Sequence, residues 1–177
     1  MKKFYAMLLS VIVAASSMSV SAKKWRIFTD INLGSGVTSY YDNTVENSFS
    51  GMLLLSGGYQ HQKCFLGLGC GLISDVEKVT SIPFYAHVRY DFFKENPKSF
   101  SPFVSLRIGY SLANYSNGSP TEDGIIFLPS VGFRKGLTEN IGLNLGASAG
   151  IYGKTYDKID YSSTTCWGVF INVGLDF

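Results

Sequence analysis

Past its first two dozen residues, the chain alternates apolar with polar or small residues in segments of about the length a tilted membrane strand needs, 9 to 11 residues. No stretch there approaches the roughly 18 consecutive apolar residues of a membrane-spanning helix. If this chain crosses a bilayer, strands must do it.

Eight such segments are legible. The first sets Trp25, Ile27, Thr29, Ile31, Leu33 and Val37 against Arg26, Asp30, Asn32, Gly34 and Gly36. The second runs from about Phe49 to Tyr59, with Leu53 and Leu55 at its middle. The third opposes Leu66, Leu68, Cys70 and Leu72 to Phe65, Gly67, Gly69 and Gly71; the fourth opposes Phe84, Ala86, Val88, Tyr90 and Phe92 to Tyr85, His87, Arg89 and Asp91. The fifth repeats the pattern with Val104, Leu106, Ile108 and Tyr110 against Phe103, Ser105, Arg107, Gly109 and Ser111. The sixth, about Ile125 to Arg134, contains Pro129, whose missing N–H predicts a bulge or a poorly paired stretch. The seventh places Ile141, Leu143, Leu145, Ala147 and Ala149 opposite Gly142, Asn144, Gly146, Ser148 and Gly150. The eighth, the clearest, places Trp167, Val169, Ile171, Val173, Leu175 and Phe177 opposite Gly168, Phe170, Asn172, Gly174 and Asp176.

Residues 1–22 read as a secretory signal peptide cleaved after Ala22, leaving 23–177 as one domain. Lys2 and Lys3 precede an apolar run from Phe4 to Ala15 and a small-residue end, Val20-Ser21-Ala22. Two of the fifteen Lys and Arg lie in this leader, so the remainder balances the thirteen Asp and Glu, and no nucleic-acid partner is expected. Cys64, Cys70 and Cys166 are an odd number without metal-ligand spacing, so neither a metal nor any other cofactor is expected. Cys64 and Cys70, six residues apart on one strand, are too distant to bridge and read as small apolar residues.

The connections fall into two sets. Gln60 to Cys64, Phe93 to Ser101 and Lys135 to Asn140 lie at one end; longer polar loops near 42–48, 74–81, 113–124 and 153–165 lie at the other. Short periplasmic turns and longer extracellular loops are the pattern of outer-membrane barrels. The longer loops hold Asp42, Glu46, Asp75, Glu77, Glu122, Asp123, Asp157 and Asp160 against Lys78, Lys154 and Lys158, whereas Lys23, Lys24, Lys63, Lys94, Lys98 and Lys135 make the other end basic. An acidic loop surface suits divalent cations or a cationic partner, an extracellular protein among them, although solvation alone accounts for such charge.

Alternation does not by itself separate a membrane barrel from a soluble lipocalin-like calyx or a β-sandwich. The polar face decides. On a soluble barrel it meets water and carries Lys and Glu, yet segments two, three and seven offer mainly Gly, Ser, Asn, Met and Leu. That composition suits a narrow, filled interior. On the apolar face, Trp25, Tyr59, Tyr90, Phe92, Phe133 and Phe177 mark one end and Tyr41, Phe49, Phe84, Tyr110 and Trp167 the other, as expected for two aromatic girdles at lipid headgroup levels. The expectation is an all-β, eight-stranded, antiparallel, up-and-down transmembrane barrel with no open pore.

Inside, Arg26, Asp30, Tyr85, His87, Arg89, Asp91, Arg107 and Arg134 are expected to form a hydrogen-bonded network. Facing the third and fourth segments so that glycines oppose large groups pairs Gly71 with Tyr85, Gly69 with His87, Gly67 with Arg89 and Phe65 with Asp91. A sharper alternative gives His87, with Asp91 and Arg89, a proton-responsive or catalytic use.

The signal peptide, the eight segments, the turn asymmetry and the terminal Phe177 together make the mature chain resemble the OmpA/OmpX-type small outer-membrane β-barrel family. That resemblance implies residence in the bacterial outer membrane among its lipids and lipopolysaccharide. Trp167, Val173, Leu175 and Phe177 are similar to the terminal signal read by the barrel-assembly machinery, which implies that machinery and periplasmic chaperones as partners; Asn172 stands where members often have Gly. Barrel enzymes acting on lipid A are of similar size. The deacylase type places His and Ser two apart on a lipid-facing strand, a pattern absent here, where no outward-facing His is expected and His61 reads as a solvated turn residue. The palmitoyltransferase type has an amphipathic helix where this chain enters its first strand. A non-enzymatic role, structural or in adhesion and host contact, is therefore expected.

Overall fold

A computed structural model describes residues 25–39, 45–75, 80–93, 100–113, 124–156 and 163–177. They form β1 (Trp25–Ser39), β2 (Val45–His61), β3 (Cys64–Asp75), β4 (Thr80–Asp91), β5 (Phe100–Ala113), β6 (Gly124–Gly136), β7 (Gly142–Tyr156) and β8 (Ser163–Asp176). Each strand pairs antiparallel with its sequence neighbour, and β1 pairs with β8. The seam extends through Phe177, which exchanges backbone hydrogen bonds of 3.0 and 3.2 Å with Ile27. Closure leaves no strand edge asking for a partner, which a bilayer core could not supply.

The strands run from 12 to 17 residues, longer than a bilayer requires. The connections are correspondingly tighter than the sequence suggests. Val45–Ser48 opens β2 instead of belonging to a loop, and only Gln62 and Lys63 separate β2 from β3. Gln62 has φ 53°, the left-handed conformation that so tight a reversal requires.

Alternation of inside and outside runs along β6 despite Pro129. Pro129 pairs with Leu106 of β5, whereas the ladder to β7 passes from Phe127↔Ile151 directly to Ser130↔Ser148. The absent N–H is thus felt on the β7 side, as a gap in pairing and not as a bulge. The irregularity of β7 lies against β8, where the register shifts between Ile151 and Gly153.

The register of β3 against β4 differs from expectation by two residues. Gly69 faces Tyr85, Gly67 faces His87 and Phe65 faces Arg89. A slip of two keeps every side chain on its face. With glycine at 67, 69 and 71, the matching of small to large residues is satisfied by more than one register, so volume alone could not choose.

Large apolar side chains cover the outside: Leu68 is 74% exposed, Ile171 69% and Leu66 64%. Charged and polar groups lie inside, with Asp176 and Asn32 fully buried and His87, Arg89, Asp91 and Arg107 nearly so. This inverts the arrangement of a water-soluble domain.

Candidate functional site

The lumen is stratified into tiers, to which different strands contribute through the alternate residues that line its wall. Nearest the short-turn end is an ionic tier. Arg134 of β6 grips Asp176 of β8 through Nε (3.0 and 3.1 Å to the two carboxylate oxygens) and Nη2 (2.8 Å). Arg26 of β1 adds a bond of 3.1 Å to the same carboxylate. Asn144 of β7 bridges onward: its amide donates to Asp176 at 2.9 Å, and its carbonyl accepts from Arg89 Nη1 at 2.9 Å. Arg89 in turn donates to Asp91, two residues along β4, from Nε at 3.0 Å and Nη2 at 2.8 Å. Five strands are tied by one continuous network.

An aromatic tier follows. The Arg89 guanidinium lies 3.8 Å from the ring centroid of Phe103 and 4.9 Å from that of Phe28, so cation–π attraction offsets part of its desolvation. Phe28, Phe65 and His87 pack edge to face, with centroids 4.7 to 5.5 Å apart. Next comes a polar ring. His87 Nδ1 bonds Ser56 Oγ at 2.7 Å, Arg107 pairs across the lumen with Asp30, and Ser148 donates to Asn172 at 3.0 Å.

Toward the long-connection end the wall turns apolar, with Met52, Leu54, Ile73, Ile126, Leu128 and Phe170 packed with Tyr85, Tyr152 and Cys166. Tyr152 bonds Ser50 at 3.1 Å, and beyond this layer Ser111 donates to Ser81 at 3.0 Å.

Of the eight expected lumen residues, Arg26, Asp30, Arg89, Asp91, Arg107 and Arg134 enter ion pairs. Tyr85 instead joins the apolar layer, its hydroxyl donating to the Leu55 carbonyl at 3.1 Å. His87 meets Ser56 and two phenyl rings, while Asp91 is held by Arg89, so His87 and Asp91 do not form a couple with each other. Asp176 and Asn144, the two groups on which the ionic tier converges, were placed on the inward face by sequence but not in the network. Alternation reports the face of one strand; it carries no information about which groups meet across the lumen.

On the outer wall Trp25 and Tyr59 pair edge to face at 6.4 Å, Tyr90 and Phe92 at 5.3 Å. Phe133 is exposed at the same end, Phe177 is partly covered, and Phe93 and Phe100 add to them. Phe49, Phe84, Tyr110 and Trp167 are exposed toward the other end. Tyr41 lies outside the described residues. Of the terminal residues named above, Trp167 and Val173 are exposed, while Leu175 and Phe177 are partly covered. His61 corrects one expectation: it closes β2, exposed on the face of Tyr59, whose ring it stacks on at 6.5 Å, and opposite Cys64. The two-residue turn is shorter than the sequence implied, which carries His61 onto the strand. Cys70 is likewise exposed, and Cys166 is buried in the lumen.

A closed wall of eight strands with an ionic interior and an apolar exterior defines the class: a small transmembrane β-barrel, in the OmpA/OmpX-type architecture of bacterial outer-membrane proteins. Solved structures that share that fold include the following two. Neisserial surface protein A (NspA) is 14% identical, with a TM-score of 0.62 over 86% of this chain and 95% of that one. The outer membrane protein OprG from Pseudomonas aeruginosa is 13% identical, with a TM-score of 0.54 over 87% and 96%. No family model matches the chain, and no curated protein matches it in sequence.

Proposed function

We propose that the protein is a non-enzymatic integral protein of the bacterial outer membrane, exported by a signal peptide over 1–22, that stabilises the envelope and presents its longer connections to the exterior for adhesion or host contact. The observation that carries this reading is the inversion of burial, with Leu66, Leu68 and Ile171 outside and Arg89, Arg107 and Arg134 buried inside. Exposed apolar surface of this kind is unfavourable in water and suits a wall that faces acyl chains.

The lumen is filled by side chains, and its acids are engaged by arginines, which supports a structural role and a closed pore. The outward His61 has Gln62 and Lys63 after it, not the His-x-Ser of the deacylase type. The aromatics at both ends would seat at the two headgroup levels, and the final strand, with Trp167, Val173, Leu175 and Phe177, would be read by the assembly machinery with the help of periplasmic chaperones. The longer loops would carry the acidic surface; the side chains of Glu46 and Asp75, and all of Asp42, Glu77, Glu122, Asp123, Asp157 and Asp160, lie outside the described residues.

Fractionation of the native host tests the location: the protein is expected in outer membranes, with gel mobility that changes on boiling. Mass spectrometry of lipid A with and without the protein tests the absence of chemistry, and a mass shift dependent on the protein would replace this reading with that of an enzyme. Neutralising the loop acids is expected to weaken surface attachment.

A further inference from the structure

We propose that His61 and Cys64, the last rung of the β2–β3 ladder, form a binding site for a soft monovalent metal ion, Cu+, on the outer wall at the short-turn end. The two residues lie directly opposite each other, and both are exposed on the same face. Opposed residues of an antiparallel pair hold their Cβ atoms about 4.5–5.5 Å apart. From there a thiol and an imidazole can approach one ion from two sides.

The hairpin presets this geometry. Only Gln62 and Lys63 join the strands, and Gln62 takes the left-handed conformation, φ 53°, that so short a reversal requires. The turn is also tied to β4: Lys63 Nζ donates to the Phe92 carbonyl at 2.8 Å, and the Asp91 N–H donates to the Lys63 carbonyl at 2.8 Å. The Tyr59 ring stacks on the imidazole at an interplanar angle of 10°, which steadies its plane. In an open loop residues 61 and 64 would have no fixed separation. Placed as a cross-strand pair, they have one.

The thiol is available. Cys64 is free and exposed; Cys70 lies further along the same strand, roughly 20 Å away at the usual rise, and Cys166 is buried in the lumen. Neither can bridge to it.

The donor count selects the ion. Among the described residues no group of three or more His, Cys, Asp or Glu could hold a metal. Zinc takes four such ligands, and calcium or magnesium takes six or more oxygens. Cu+ is stable between two donors in line and prefers thiolate and imidazole. On binding, the thiol proton passes to solvent and the thiolate charge neutralises the ion, with no change of oxidation state. A site without net charge suits its surroundings, where Tyr59 packs against Trp25 and Tyr90 lies opposite Cys64.

Anaerobic competition with a chromophoric Cu+ chelator tests the pair, using the full barrel in micelles and a C70A/C166A background in which Cys64 is the only thiol. One Cu+ per barrel is expected. Loss of an outer partner of a metal ligand already costs about 10–100-fold in affinity, so H61A is expected to weaken binding at least that much and C64S to abolish it. Unchanged affinity in H61A would mean that the thiol acts alone, and overturns the proposal. Half an equivalent, with two barrels joined through their Cys64 thiols, overturns it as well. A titration of the wild type with Ag+, followed by NMR, depends on no variant's folding: the imidazole nitrogen signals of His61 are expected to shift and those of the buried His87 to stay. An unmoved His61 contradicts the site.

Discussion

Asp176 receives hydrogen bonds from Arg26, Arg134 and Asn144, more side-chain partners than any other described acid in the lumen. Removing it takes from Arg134 and Arg26 the carboxylate they share, and breaking a buried pair from one side costs about 3–5 kcal/mol. D176A is therefore expected to lower the stability of the refolded barrel by that amount in urea titrations, and a loss under about 1 kcal/mol would contradict the ionic tier as drawn. Two glycines provide a paired test of packing. A Cβ on Gly69 would lie 2.5 Å from Tyr85 ring atoms and 2.6 Å from the Leu55 carbonyl oxygen, whereas one on Gly57 meets nothing within 4 Å. G69A is expected to cost about 1–3 kcal/mol and G57A to stay within about 0.5 kcal/mol of wild type. Equal effects would show that interior crowding does not set the need for glycine at 69. At this scale the sequence told which face the residues within the strands take, since that needs only parity, but not that His61 belongs to β2 and faces outward. It did not reveal that Asp176 is the meeting point, because the groups it joins come from strands distant in sequence.

Among the elements, β2, β6 and β8 each present an apolar inward residue at the same tier, and this layer separates the polar ring from the long-connection end. The barrier to ions should therefore reside in Leu54, Leu128 and Phe170. Planar-bilayer recording is expected to show no large steady conductance for the wild type and measurable leak for the double variant Leu54→Gly, Leu128→Gly. A silent double variant that is properly folded would move the barrier elsewhere. The gap at Pro129 makes a separate prediction. P129V returns an N–H to the strand, so hydrogen exchange of the β6–β7 ladder around Ala149 and Gly150 is expected to slow. The existence and order of all eight strands were legible from period two alone, including β8 to its last residues. The β3–β4 register was not, because glycines at every second position make a two-residue slip nearly neutral by volume. The strand ends were also misjudged: the expected length came from bilayer thickness, and the pairing continues beyond it.

For the whole molecule, closure and inversion depend on each other. A sheet with a lipid-facing surface must have no open edge, and a closed barrel of eight strands must fill its axis with side chains. Both conditions were readable in the sequence as an alternation whose polar side is too small and too weakly charged to face water. The aromatic positions, Trp25, Tyr59 and Tyr90 at one end and Phe84, Tyr110 and Trp167 at the other, were readable for the same reason. Nitroxide labels at Leu68 and Leu145, 74% and 48% exposed on the outer wall, test this directly in reconstituted bilayers. Relaxation by dissolved oxygen together with exclusion of a water-soluble nickel chelate is the expected result; free access of the chelate to both labels, with oxygen giving no preference, would contradict the membrane-facing wall.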